Sequence, residues 1–172
     1  MRSVKFPVIL FLILILIISC GKIEKLPPEP SIKFTSFEVF DSTDILGNID
    51  KGGRLKFYFE DGDGDLGLPA PTNSSSDSTN LFFTLFKKTK GVFVPVSGND
   101  PLKPSPYRIP YMDRQGQNKI LRGNISVTFL YLFYSPADTL RYNFFVKDRA
   151  LHSSDTASTC EIVLTKNGFC NN

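Results

Sequence analysis

The chain predicts an all-β fold, a two-sheet β-sandwich of seven or eight strands. Three observations predict it. Apolar and polar residues alternate over short stretches, no stretch sustains a 3.6-residue apolar period, and turn-forming residues collect between the stretches. The roughly 140 residues from 32 to 172 are enough to enclose one core.

The leader comes first. Arg2 and Lys5 precede an apolar run at 6–18 that is broken only by Pro7. As a helix that run would reach about 20 Å, short of the roughly 30 Å hydrocarbon core, and a signal h-region needs only about 7–15 residues. Residues 1–19 therefore read as a cleavable signal peptide. The run stops at Ile17-Ile18-Ser19-Cys20-Gly21, which resembles the lipobox of bacterial lipoproteins. That resemblance implies cleavage before Cys20 and acylation of its thiol and new amino group, as with palmitate. Several acyl chains at about 0.8 kcal/mol per buried methylene hold a membrane stably. Gly21 after the Cys is similar to outer-membrane lipoproteins, and 21–25 lacks the acidic cluster that resembles a surface-export signal. The expected location is the outer membrane, lipid-anchored, with the periplasmic face favoured over the cell surface.

Residues 20–31 carry Pro27, Pro28 and Pro30 and read as an extended, semi-rigid tether. From there to 172 the reading is one β-domain. Residues 32–40 are rich in Phe, Thr and Val. At 54–60, Leu55, Phe57 and Phe59 share a face. Residues 81–87 and 92–96 form a hairpin closed at Gly91. Prolines demote 107–111 to a short edge strand. At 124–134, Ile125, Val127, Phe129, Tyr131 and Phe133 share a face; at 139–148, Leu140, Tyr142, Phe144 and Val146 do. At 159–165, Cys160, Ile162 and Leu164 fall together. Two long polar loops, 66–80 and 97–106, are the candidate contact regions, and 73–80 reads as loosely held.

The most specific internal motif follows 54–60: Asp61-Gly62-Asp63-Gly64-Asp65-Leu66-Gly67. Carboxylates at alternate positions repel one another, and a cation, a base or water must relieve them. The glycines allow tight turns that bring the carboxylates onto one centre, and hard oxygen donors suit calcium. An EF-hand is rejected: Leu66 stands where Gly is needed, and Thr72 where a bidentate Glu is needed. If 54–60 and 139–148 end at one pole, Asp61, Asp63, Asp65 and Asp148 converge as a calcium site of another kind. The alternative is a solvated acidic turn.

The stretch 57–67 resembles the F-x-F-x-D-G-D-G-D-[IL]-G segment of small lipoproteins from Bacteroidota. Residues 142–154 are similar to the Y-x-[FI]-x-[VI]-x-D-x-[AG]-x-N-x-S stretch of the same proteins, with His152 where Asn is usual. The resemblance implies an immunoglobulin-like sandwich and says little about activity.

Cys160 and Cys170 leave two readings open. Export favours a disulfide. A hairpin at Asn167-Gly168 would set Cys170 opposite Thr165, about 16 Å along the strand from Cys160, beyond the roughly 7 Å a disulfide spans. His152 is the only histidine and reads as a solvated loop residue. No nucleophile elbow, zinc spacing or phosphate loop occurs. The net charge of +3 is too small to argue for nucleic acid. The expected function is a non-catalytic structural or interaction module at the cell envelope that requires no cofactor, with an envelope protein or a glycan as partner. The rival is carbohydrate binding on Tyr107, Tyr111, Tyr131 and Tyr134, against which the lack of Trp counts.

Overall fold

A computed structural model describes residues 25–71, 79–113 and 119–171; the leader, Cys20 and the 72–78 part of the polar loop lie outside them. Among the described residues nine strands form two antiparallel sheets. They are β1 (Ser31–Thr43), β2 (Ile49–Asp61), β3 (Leu81–Thr89), β4 (Val92–Pro95), β5 (Leu121–Tyr131), β6 (Thr139–Val146), β7 (Ala157–Ser158), β8 (Ile162–Val163) and β9 (Gly168–Asn171). One sheet runs β5-β2-β1-β9. The other runs β4-β3-β6-β7, with β8 also on β6. This is the two-sheet sandwich the alternation predicts.

The inward faces are the alternating apolar sets. Leu55, Phe57 and Phe59 of β2 and Val127, Phe129 and Tyr131 of β5 face Leu81, Phe83 and Leu85 of β3 and Leu140, Tyr142, Phe144 and Val146 of β6. In β1 the phase changes from Ile32 and Phe34 to Phe37 and Val39, because the register slips between Phe34 and Ser36. One extra residue in a strand turns the following side chains to the other face, so this bulge keeps β1 apolar inward along its length. Packed rings fill the centre: Phe37, Phe83 and Tyr142 lie 5.5–6.0 Å from Phe129, and Phe57 lies 5.2 Å from Phe144. The buried hydroxyls form a closed chain, Tyr131 to Tyr142 at 3.1 Å and Tyr142 to the Leu102 carbonyl at 2.9 Å. The buried core lies between Ile32 and Leu164, so the chain from Lys25 onward encloses its own core.

Five expectations are corrected. Strand β2 begins at Ile49 rather than 54, since Gly52 and Gly53 leave room for the rings of Phe40, Phe37 and Tyr131. Strand β5 stops at Tyr131, so Phe133 leaves the core face and stands in solvent. Segment 107–111 makes only isolated bridges, Tyr107 with Leu81 and Pro110 with Leu68. Buried Asn80 holds it there instead, accepting from Ile109 N at 2.7 Å and donating to the Lys147 carbonyl at 3.3 Å. The strand expected at 159–165 shrinks to β8 at Ile162–Val163, with β7 just ahead of it, and the pairing of the two with β6 differs by one residue. At the break, Thr159 bonds Tyr142 N through its hydroxyl and the Tyr142 carbonyl through its own N–H.

Last, Asn167-Gly168 does not make a hairpin. The Asn167 side chain bonds Asp41 and Lys51 at 2.7 Å each, and the chain crosses to the other sheet as β9 beside β1. That crossing brings Cys170 to within 6.2 Å (Cα–Cα) of Cys160, and the two form a disulfide. The 16 Å separation assumed a pairing of 169–171 with 164–166 that does not occur.

Candidate functional site at the tether pole

Strand β1 starts opposite the end of β2, Ser31 beside Glu60, and β6 ends opposite the start of β3, Val146 beside Leu81. The tether, the acidic loop and the Lys147–Ser154 loop therefore share one pole. Asp61 ends β2 with its side chain turned into the interior. Its carboxylate receives Leu66 N at 2.6 Å and Gly64 N at 3.3 Å, which curls 61–66 into a closed loop. Gly64 and Gly67 adopt φ of +68° and +101°, a region that favours glycine. Gly62 is needed for a different reason. A Cβ there would run into the carbonyls of Leu26 and Pro27, and Gly62 N donates to the Pro27 carbonyl at 3.1 Å. The tether is thus laid directly on the acidic loop.

The curl brings one carboxylate oxygen from each of Asp61, Asp63 and Asp65 within 4.8 Å of one another. Asp65 receives Ala150 N at 3.1 Å on one oxygen, while its other oxygen is buried and accepts no hydrogen bond. Burial pushes the Asp61 carboxyl above its ordinary value, and Asp63, which shares a hydrogen bond with it, adds to the shift. Burial also raises Asp65, followed by the charges of Asp148 and Asp63. The loop holds more negative charge than its surroundings compensate.

Asp148, the fourth expected ligand, is at the same pole but outside the cluster. One of its oxygens accepts His152 N at 2.7 Å and the other meets His152 Nδ1 at 2.9 Å. The expected set of four carboxylates is therefore a set of three with a neighbour, because Asp148 closes its own loop. His152 is more than a solvated side chain: it braces Asp148. The hydrogen bond that its ring donates to Asp148 raises its pKa first, then the charges of Asp148, Glu29 and Asp63. Arg149 ties the loops together, donating to the Gly67 carbonyl at 2.9 Å with its guanidinium 5.0 Å from the Tyr111 ring. Beside it a cleft of about 450 Å³ is bounded by Leu68, Phe82, Lys147 and Leu151.

The four tyrosines of the carbohydrate reading do not form one platform. Tyr131 is buried, Tyr107 and Tyr134 are half-buried, and Tyr111 is exposed but capped by Arg149. Reading the sequence also missed two contributions to the pole, the Leu26 and Pro27 carbonyls and Ala150 N. Neither has a side-chain signature; only the tight Gly62 hinted that backbone passes close by. Comparison with protein-family models, curated proteins and solved structures found no match.

Proposed function

We propose that this chain is a lipid-anchored domain of the bacterial cell envelope, without catalytic activity, whose tether pole is closed by a bound calcium ion. The observation that carries the reading is the meeting of three aspartate oxygens within 4.8 Å beneath the segment that leads to Cys20. Calcium takes six to eight oxygen ligands at about 2.3–2.6 Å, and carboxylates with adjacent backbone carbonyls and water are its usual donors. A divalent cation here would neutralise the Asp61–Asp65 charge and occupy the oxygen of Asp65 that receives no N–H. It would also stiffen the loop on which Leu26 and Pro27 rest, so ion binding and the orientation of the domain on its anchor become one event.

The anchor itself rests on the sequence, on a short apolar leader ending at Cys20. The resemblance of 57–67 and 142–154 to Bacteroidota lipoproteins points the same way, while Gly21 and the lack of an acidic cluster at 21–25 favour the outer membrane and its periplasmic face. Intact-mass analysis of the native protein tests this directly. An N-terminus at Cys20 carrying acyl groups is the expected result; an unmodified residue 20 or a retained Met1 overturns the anchor.

A further inference from the structure

We propose that the pole opposite the tether is a self-association surface, where a second copy of this chain docks tip to tip about a two-fold axis. Strands β1 and β2 are each 13 residues long, so this pole lies about 40 Å from the tether. Its apex is the β1–β2 turn, where Ile45 is 102% and Leu46 81% exposed. Ile49 stands beside them. From the neighbouring edge come Leu130, Leu132 and Phe133, carried there because β5 pairs Tyr131 with Lys51 and then ends.

The apolar tip is held in place by polar bonds. Asp44 receives Leu46 N and Asn48 N at 2.8 Å, and also the Asn48 side-chain amide at 2.8 Å. Asp44 N reaches the Asn48 carbonyl and Gly47 N the Asp44 carbonyl. Gly47, at φ +87°, completes the turn. The second loop is fixed in the same way, with Ser135 N on Asp138 at 2.8 Å and Asp138 N on the Ser135 carbonyl. A turn needs only its polar residues; two fully exposed aliphatic side chains at its apex lose nothing by truncation in a monomer and gain only against a partner.

Area and charge favour a second copy. With a large apolar residue exposing roughly 200 Å² when free, the six side chains present on the order of 900 Å². That exceeds the few hundred Å² typical of monomer patches and is enough to supply one partner's share, about 800 Å², of a standard interface. The nearby charges are largely used within one chain: Asp44 on its turn, and Asp41 on Lys51 and Asn167. An apolar surface whose Asp41 is paired with Lys51, and whose Asp44 is turned onto the N–H groups of its own turn, can face itself, and isologous two-fold contacts are the commonest symmetric assembly. Two copies joined this way would carry their tethers at opposite ends, although the association does not depend on the anchor.

Sedimentation equilibrium of the chain from Lys25 onward, from about 1 to 200 μM, tests this. The expected result is a reversible rise from monomer to dimer mass. The Ile45→Asp/Leu46→Asp variant should lose the dimer, at least a tenfold fall in association, with an unchanged melting temperature at concentrations where both proteins are monomeric, because both side chains are then in water. Phe133→Ser should weaken it by a smaller factor. Leu46→Cys should cross-link to a dimer under mild oxidation, and Ala150→Cys, at the tether pole, should not. A monomer throughout, or a dimer that survives the double aspartate variant, overturns the proposal. So does a monomer that binds phosphatidylethanolamine–phosphatidylglycerol vesicles through Ile45 and Leu46, which would give the tip to a lipid surface.

Discussion

Both poles are built around an aspartate that gathers backbone N–H groups, and the two aspartates behave in opposite ways. Asp44 holds Leu46 N and Asn48 N in a turn open to water; Asp61 holds Gly64 N and Leu66 N in a loop folded under the tether. Hydrogen bonds from Asn48 keep the Asp44 carboxyl below its ordinary value. Burial and the neighbouring Asp63 push Asp61 above its own. The same local motif therefore favours the charged form where solvent reaches it and disfavours it where other carboxylates and protein enclose it. The exposed turn is complete as it stands, whereas the buried loop gains from a proton or a cation.

The largest expected contrast comes from glycine. Gly62→Ala drives a Cβ into the backbone of Leu26 and Pro27 and should cost about 2–3 kcal/mol in denaturant unfolding. Gly47→Ala at the other pole meets no neighbour and should cost about 1–2 kcal/mol, from its positive φ alone. Equal losses would mean that the tether does not lie on the acidic loop. Next in size is Asp65→Asn, which keeps an acceptor for Ala150 N and removes one charge. It should raise the melting temperature in chelator by a few degrees and abolish any response to calcium, a pair of opposite signs that a solvated acidic turn does not produce.

The pH dependence should also split. Asp61 and Asp65 have raised folded-state pKa values, so their contribution is complete below about 3.8 and is lost as pH rises through the folded values. Asp44 is lowered, so its contribution is present above about 3.8 and is lost as pH falls through its folded value. A carboxyl-carbon NMR titration should place the midpoint of Asp44 below 3.8 and that of Asp61 above it; coincident midpoints would erase the contrast. The smallest effect belongs to His152. Its pKa is raised, so its share of stability is complete below about 6.5 and fades as pH rises through the folded value. His152→Gln should flatten the melting profile as pH rises above about 6.5.

How far these features were legible depends on whether side-chain period or backbone placement carries them. The faces of β2, β5 and β6 follow from strict alternation, and the structure buries the same residues, except that Ile125 is half-buried and Phe133 exposed. Gly52 and Gly53 stayed outside the strand expected at 54–60 because a sequence does not show that aromatic rings need their space. Asn167-Gly168 read as a hairpin because the competing partners of Asn167, Asp41 and Lys51, are more than a hundred residues away. The same long-range choice hid the disulfide geometry. At the candidate site the three alternating aspartates were plain, but Asp148 was assigned by pole alone, and its pairing with His152 across four residues was not foreseen. The apolar tip had a readable signal, Asp44-Ile45-Leu46-Gly47-Asn48, in which a polar turn frame encloses two residues that belong in a core.

The most direct test of the account is a thermal melt of the chain from Lys25 onward in chelator, in magnesium and in calcium, beside the Asp65→Asn variant. Calcium at a hundredfold excess over its dissociation constant stabilises by about 2.7 kcal/mol, which for a domain of this size is a rise of roughly 5–10 °C. The account predicts that rise for calcium, a much smaller one for magnesium and none in the variant. A melting temperature that ignores calcium, or a variant that responds as the native chain does, would contradict it.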